Sequence, residues 1–189
     1  GPLDMRMDPG SGVSAAEWLN SADEAEIASV LWRFGEERSS RRIARAIVAE
    51  RAATPVRTTA QLAAIIEGEI PRREPGRHPA TRSFQAIRMH INQELAELEA
   101  VLRAARGGLA VGGRLCVISF HSLEDRLVKR FLRDHSRVDP ALRSLPVVPD
   151  SAQPDLVLLT TRAVRASEAE VLRNPRSRSA VLRAAEKQR

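Results

Sequence analysis

The hydrophobic periodicity of the sequence changes near residue 110, and this change limits which folds the chain can adopt. Before it, apolar residues recur every three or four positions from Phe84 to Ala105, which predicts one amphipathic helix ended by Gly107 and Gly108. After it, the apolar residues 115–120 follow two glycines and predict a β-strand of the kind that is buried on both faces. The pattern predicts an α/β protein with its helices first and its sheet last.

The first half of the chain carries four more helical segments. Capping residues, followed by apolar residues at helical spacing, place their starts near Ser14, Ser21, Ser39 or Ser40, and Thr58, and those at Ser14 and Ser21 form predicted capping boxes. Residues 71–79 interrupt this pattern and are predicted to form a basic, proline-containing loop.

The second half predicts two further strands near residues 156–161 and 179–185, with a surface loop over 136–154. A helix follows the first strand, and Ser122 is its predicted N-cap. A strand as apolar as 115–120 needs neighbours on both sides, and this chain supplies them on one side only. We therefore expect another part of the sheet to precede the first residue.

Composition narrows the class of protein. The 189 residues carry 30 Lys and Arg against 24 Asp and Glu, a net charge of +6, and no apolar run long enough to cross a bilayer. The single cysteine, Cys116, excludes a disulfide framework and a multi-cysteine zinc site, and it fits a reducing compartment. Aromatic residues are 3% of the chain, fewer than expected of a protein that binds single strands mainly by stacking. We expect a soluble, basic, cytoplasmic protein without a metal site.

Most of the positive charge comes from arginine, whose planar fork suits phosphate. Four arginines have a spacing that places them on one face of a helix: Arg38, Arg41, Arg42 and Arg45. Like charges at this spacing repel, so a counter-charge is expected, and RNA phosphate is one candidate. The alternatives within the chain are Glu36, Glu37 and Glu50. Arginine codon use in a GC-rich genome is another explanation for the total.

Two polar clusters lie at predicted helix starts. Residues 78–85 bring His78 and Arg82 to a helix N-terminus, which can bind an anion, although spacing alone favours a structural role in which Thr81 caps the helix. Residues 119–125 follow the carboxyl end of a strand, where open α/β sheets bind ligands. There His121 is a candidate base or base-edge contact, and Glu124 or Asp125 a candidate acceptor.

Common catalytic motifs are missing from the sequence. It contains no G-x-G-x-x-G, P-loop, H-E-x-x-H or G-x-S-x-G motif, and no Asp/Asn/Ser-Pro-Pro-aromatic motif of amino-methyltransferases. The residue patterns by themselves therefore predict a basic α/β fragment with a helical module, and no particular reaction.

Several segments nevertheless strongly resemble the ribosomal RNA small subunit methyltransferase H family. They are GPLDMRMD (1–8), GEERSSRRIARAIV (35–48), HPATRSFQAIR (78–88), NQELAEL (92–98), GGRLCVISFHSLEDRLVK (112–129) and NPRSRSAVLRAAEK (174–187). The resemblance covers essentially the whole chain, and ISFHSLEDR with HPATR upstream is highly specific.

The resemblance implies the C-terminal part of a class I, Rossmann-like methyltransferase sheet with an inserted all-helical domain. Residues 1–13 would be a loop after a missing fourth strand, 14–90 the inserted substrate-recognition domain, and 91–189 the rest of the methyltransferase domain. The three predicted strands would be the fifth, sixth and seventh, with the seventh antiparallel between the other two.

The activity implied by the resemblance is S-adenosylmethionine-dependent methylation of N4 of one cytidine in 16S rRNA of the small ribosomal subunit. Around the base we expect Asp4, His121, Ser122 and Asp125. On RNA phosphate or ribose we expect Arg6, Arg38, Arg41, Arg42, Arg45, His78, Arg82, Arg88 and Arg126.

The family's cofactor-binding residues lie upstream of GPLDMRMD, so no S-adenosylmethionine-binding residue is assigned in this chain, and we expect the chain by itself to be inactive. The main alternative is a non-enzymatic fragment that binds RNA or the ribosome. A DNA-binding helical regulator is a weaker alternative, since no helix-turn-helix signature stands out. Oligomeric state is left open, with a homodimer as one alternative.

Overall fold

The computed structural model describes residues 1–70, 78–138, 140–142 and 146–189. These residues form two compact units, Gly1–Glu94 and Leu95–Arg189. The first unit is helical and the second contains a small antiparallel sheet, so the prediction of an α/β chain with its helices first is confirmed. The predicted loop at 71–79 lies outside the described residues except for its last two positions.

Five helices build the first unit: α1 (Ala15–Ser21), α2 (Glu24–Gly35), α3 (Ser40–Ala53), α4 (Thr59–Glu69) and α5 (Thr81–Ile91). Ser14 begins α1 with the predicted reciprocal capping bonds, and Thr58, the predicted start of α4, makes the same pair of bonds with Gln61. The capping box predicted at Ser21 is wrong. Ser21 instead ends α1 and bonds back to the Glu17 carbonyl, and Asp23 is the N-cap of α2.

The apolar faces of these helices share one core. Its largest fully buried side chains include Ile27, Leu31, Ile43, Ile47, Leu62 and Ile87. The start of the chain joins this core, because Leu3 is fully buried and its amide donates to the Arg57 carbonyl. Gly35 lets α2 approach α5 closely, since a Cβ there would lie 2.8 Å from the Arg82 carbonyl oxygen.

The single long helix predicted from Phe84 to Ala105 is wrong, because the structure divides it. Helix α5 ends at Ile91, Gln93 has a left-handed φ of 49°, and α6 runs over Glu94–Gly108. The Asn92 side chain explains the break. Its amide nitrogen donates to the carbonyls of Arg88 and Met5, and its oxygen accepts from the Met7 amide.

The second unit is built on a four-stranded antiparallel sheet. The strands are β1 (Arg114–Ser119), β2 (Leu156–Leu158), β3 (Val164–Arg165) and β4 (Val181–Lys187). The order is β1-β4-β2, and β3 also pairs with β4. The last strand therefore lies antiparallel between the first two, as the resemblance implied, whereas the two-residue β3 was not predicted.

Helix α7 (Ser122–His135) covers one face of this sheet, and α8 (Glu168–Arg173) precedes β4. Leu115 and Val117 pack into a core with Val128, Leu132 and Leu102. The other face of β1 carries exposed residues, including Ile118 at 55%. Within the described residues, β1 is thus an edge strand buried on one face, and the expected burial on both faces is not observed.

Asp155, which follows the predicted surface loop, forms ion pairs with Arg106 and Lys187. Within 136–154 the described residues include short 3₁₀ turns at Pro140–Leu142 and Asp150–Ala152. The Asp155 carboxylate then accepts hydrogen bonds from Lys187 Nζ at 2.6 Å and Arg106 Nε at 2.8 Å. Burial would raise the pKa of Asp155, but these two cations outweigh burial and lower it. Across the described ranges, no helix is long and apolar enough to span a membrane.

Candidate functional site

A tight turn at the start of the first unit holds Asp4. Backbone bonds fix the turn, because the Asp4 carbonyl accepts from the Ala15 amide at 2.7 Å and Met5 has a left-handed φ of 66°. Arg6 then forms a two-pronged ion pair with Asp4, with Nε–Oδ1 and Nη2–Oδ2 distances of 2.7 and 2.9 Å. Arg6 also donates to the Gly12 carbonyl, so this guanidinium organises the loop.

The Asp4 carboxylate is therefore a fixed, ionised acceptor. Hydrogen bonds from the Arg6 side chain and backbone lower its pKa. Its side chain remains 41% exposed, so a ligand can reach the lone pairs that Arg6 does not use. A carboxylate held in this way suits hydrogen-bond acceptance better than proton abstraction.

The four arginines predicted to share a face all line one groove between α2 and α3, with a volume of about 800 Å³. Arg38 precedes α3, whereas Arg41, Arg42 and Arg45 lie on that helix. The N-cap residue Ser39 makes no side-chain capping bond, and the first turn of α3 contains no acid. The positive end of the helix dipole therefore adds to the charge of the groove. We call this surface the arginine groove.

Two of the four arginines have acidic neighbours. Arg42 Nε lies 3.2 Å from Glu69 Oε2, and Arg45 Nε lies 3.9 Å from Glu24 Oε1. Within the described ranges, Arg38 and Arg41 have no hydrogen-bond or ion-pair partner. The predicted alternative Glu37 is buried, and its carboxylate accepts from the Ser39 amide. The arginine groove therefore keeps an excess of positive charge.

Sequence reasoning missed Trp32, which lines the same groove and is 58% exposed. The buried stripe of α2 is formed by Ile27, Val30 and Leu31, and Trp32 lies off that stripe. An aromatic residue on the polar side of a helix, six positions before Arg38, was the signal that could have identified it.

The other basic residues predicted in the first unit have partners inside the chain. His78 Nδ1 accepts from the Ala80 amide, and Nε2 lies 2.9 Å from Glu67. Arg88 forms a two-pronged pair with Glu94 at 2.6 and 2.9 Å, and the half-buried Arg82 is also engaged. The predicted Thr81 cap is wrong, because Ala80 is the N-cap of α5 and the Thr81 hydroxyl donates to the His78 carbonyl.

In the second unit, His121 follows β1 and begins α7. The predicted N-cap Ser122 is wrong: His121 is the N-cap, and its Nδ1 accepts from the Glu124 amide at 3.3 Å. A neutral His121 therefore carries its proton on Nε2, which lies 3.1 Å from Glu124 Oε1 without hydrogen-bond alignment. Ser122 is the exposed first residue of α7.

The carboxylates of this turn have different roles. Glu124 Oε2 accepts from the Phe120 amide at 2.9 Å; burial raises the pKa of Glu124, but His121 and this amide lower it overall. Asp125 forms a two-pronged pair with Arg183 on β4, at 2.7 and 3.0 Å. Arg126 is exposed and lines a separate groove of about 460 Å³ beside α6 and α7.

The cofactor implied by the resemblance, S-adenosylmethionine, was tested against the glycines near the sheet. Gly112, with a φ of 79°, and Gly113 precede β1 and exchange backbone hydrogen bonds with Lys187. They lie at the amino end of β1, whereas nucleotide sites of open α/β sheets lie beyond the carboxyl ends of the strands. This pair of glycines therefore does not fit the cofactor, and no step below is derived through it.

The fold and the two polar regions define an α/β protein with a basic helical unit and a histidine–carboxylate turn at a strand end. The chain belongs to the MraW methylase family, whose model matches residues 1–188.

Comparison of the chain with its relatives agrees with this assignment. The chain is similar to proteins named ribosomal RNA small subunit methyltransferase H. It is 61% identical to the one from Xanthomonas axonopodis pv. citri, over 99% of the chain and 54% of the relative. The corresponding values are 60%, 99% and 55% for Xanthomonas euvesicatoria pv. vesicatoria and 57%, 98% and 60% for Thiobacillus denitrificans. The chain spans little more than half the length of these relatives, and the family resemblance found in the sequence is confirmed.

Proposed function

We propose that this chain supplies the RNA-facing part of an S-adenosylmethionine-dependent enzyme that methylates N4 of a cytidine in 16S rRNA. The names of its relatives support a ribosomal RNA substrate. In this proposal the chain is the C-terminal part of a Rossmann-like domain with residues 14–90 inserted, and it acts on the small ribosomal subunit in the cytoplasm.

The observation that carries the proposal is the Asp4 carboxylate held by Arg6. The N4 amine of cytosine is a weak nucleophile because its lone pair is delocalised into the ring. An ionised acceptor that bonds to the N4 hydrogens turns the amine and favours a localised lone pair. Because Arg6 lowers the pKa of Asp4, this acceptor stays ionised well below neutral pH.

The remaining predicted base contacts are proposed with separate tasks. The exposed Ser122 hydroxyl lies at the strand end, where it can contact an extruded base, and His121, whose Nε2 is buried, is proposed to border the same base. Asp125 is engaged by Arg183, so it positions α7 against β4 as well as bordering this turn. The arginine groove and Arg126 contact the RNA backbone.

Asp4→Asn in a full-length enzyme that contains this chain tests the proposal, with tritiated methyl transfer to 16S rRNA as the readout. We expect transfer to fall at least about 100-fold with little change in RNA affinity. Asp8→Asn is the matched control, because Asp8 has a lowered pKa from the Gly10 amide and the Ser11 hydroxyl of the same loop. Full activity of Asp4→Asn would exclude the carboxylate from the reaction.

His121→Asn belongs to the same experiment, because asparagine is a good N-cap but has no imidazole. We expect it to preserve folding and lose methyl transfer. If it retains full transfer, His121 is a helix cap and nothing more. Chromatography of the digested nucleosides against methylcytidine standards, with detection by mass spectrometry, identifies the methylated atom, and methylcytidine at a position other than N4 would overturn the assigned specificity.

An RNA-binding fragment without activity is the second candidate, and the misfit of Gly112 and Gly113 to the cofactor favours it for this chain by itself. This second candidate predicts that the chain binds RNA but does not methylate it when S-adenosylmethionine is added.

A further inference from the structure

The two tryptophans of the chain have different environments. Trp18 is 7% exposed, its Nε1 donates to Glu26 Oε1 at 2.9 Å, and its ring lies 4.6 Å from that of His90. Trp32 is 58% exposed, and no group in the described part of the chain bonds to its Nε1. The packing of the first unit accounts for Trp18 but does not account for Trp32.

Trp32 lines the same groove as four arginines. Arg38 and Arg41 lack partners among the described residues, and Glu24 is the acidic residue lining the groove. A groove of about 800 Å³ lies within the range of small-ligand sites. Its charge is complementary to a polyanion, and an indole face offers an aromatic base a stacking surface.

From this combination we infer that Trp32 stacks on an unpaired RNA base while the flanking phosphates bind the arginines of the groove. An acidic peptide would satisfy the arginines but would not use the indole face. Duplex RNA has its bases stacked on one another, so it cannot offer a base face to Trp32 without opening. The partner most consistent with both features is single-stranded RNA.

Aromatic residues make up only 3% of the chain. A protein with so few aromatic residues does not bind a strand by successive stacking, but one indole beside several arginines is enough to hold one base. Arginine contacts supply most of the affinity, and Trp32 supplies the preference for an unpaired strand.

The test measures binding of the whole 189-residue chain to a 12-nucleotide single-stranded RNA, followed by tryptophan fluorescence and by anisotropy of labelled RNA. We expect RNA to quench the Trp32 emission. Trp32→Ala should weaken binding about 5- to 150-fold, the range measured when a stacking aromatic is removed. Trp32→Phe should restore most of the affinity, since phenylalanine keeps a stacking face.

Controls separate stacking from charge. Leu172→Ala removes another exposed apolar side chain, on α8, and should leave affinity unchanged. Arg41→Ala should reduce the salt dependence of binding by about one ion, whereas Arg57→Ala, an exposed arginine outside the groove lining, should not. Circular dichroism and the emission of the buried Trp18 verify folding of each variant.

Three outcomes would overturn the inference: equal affinity of wild type and Trp32→Ala, tighter binding of the same RNA as a duplex, or displacement of RNA by poly-glutamate as readily as by RNA. The inference rests on the proposed RNA substrate, but its readout is independent of catalysis. If Trp32 does not stack on RNA but the full-length enzyme still transfers the methyl group, only the role of Trp32 is rejected. Intact stacking without methyl transfer in the full-length enzyme rejects only the proposed reaction.

Discussion

His90 makes the stability of the first unit depend on pH. The imidazole is half-buried between the rings of Trp18 and Phe34. Burial lowers its pKa, nearby Glu26 opposes this effect, and Arg33 adds to it. The folded unit therefore favours neutral His90, whereas the unfolded chain binds a proton near the ordinary histidine pKa.

We therefore predict that the free energy of unfolding falls as the pH decreases from about 7 through the ordinary histidine pKa, near 6.5. His90→Gln should remove much of this slope. Urea unfolding followed by tryptophan emission reports the first unit, because both tryptophans lie in it. His78→Gln makes the same residue change at a more exposed histidine and is the matched control. A wild-type slope of zero in this window would contradict the prediction.

Among single residues, the sequence could identify candidates but not their partners. The spacing placed Arg41, Arg42 and Arg45 on one helix, whereas Arg38 precedes that helix and lines the same groove. It could not show that Arg88 pairs with Glu94 or that His121, rather than Ser122, caps α7. Pairings of this kind depend on distances that spacing along a chain does not determine.

At the level of elements, the contact between α2 and α5 depends on glycine at position 35, because glycine has no side chain to hold the helices apart. A methyl group there would lie 2.8 Å from the Arg82 carbonyl oxygen and 3.1 Å from the Ala86 Cβ. The carbonyl belongs to a helix backbone and cannot rotate away, so the two helices would have to separate.

Gly35→Ala should therefore destabilise the first unit by about 1–3 kcal/mol, the usual cost of overpacking. Gly68→Ala in α4 is the matched control, because a Cβ at Gly68 meets no atom within 4 Å. There the higher helix propensity of alanine should be neutral or stabilising by up to about 1 kcal/mol. Equal effects of the two substitutions in chemical denaturation would show that the close approach is unimportant.

Helices with strong local signals were predictable, and those shaped by distant contacts were not. The caps of α1 and α4 lie within three residues of the amides they satisfy. The break between α5 and α6 depends on Asn92 bonding to Met5 and Met7, more than 80 positions away. No periodicity over residues 84–105 carries that information.

For the molecule as a whole, the misfit between the glycines of the sheet and S-adenosylmethionine gives a direct prediction. Calorimetric titration of the 189-residue chain with S-adenosylmethionine should release no saturable heat, while a protein of the relatives' full length that contains this chain should bind one equivalent. Sinefungin, an unreactive analogue, should behave in the same way. Saturable one-to-one heat from the chain by itself would place a cofactor site within it, and residues 112–126 would be examined first.

The edge position of β1 also governs how such a chain behaves in concentrated solution. In the described residues, β1 pairs with β4 along one side and has no strand along the other, and it exposes Ile118 and Cys116. An open row of amide and carbonyl groups beside apolar side chains is a template for a strand of a second molecule. Edge pairing is therefore a predicted route to aggregation of this polypeptide, and Ile118→Lys would be the simplest remedy.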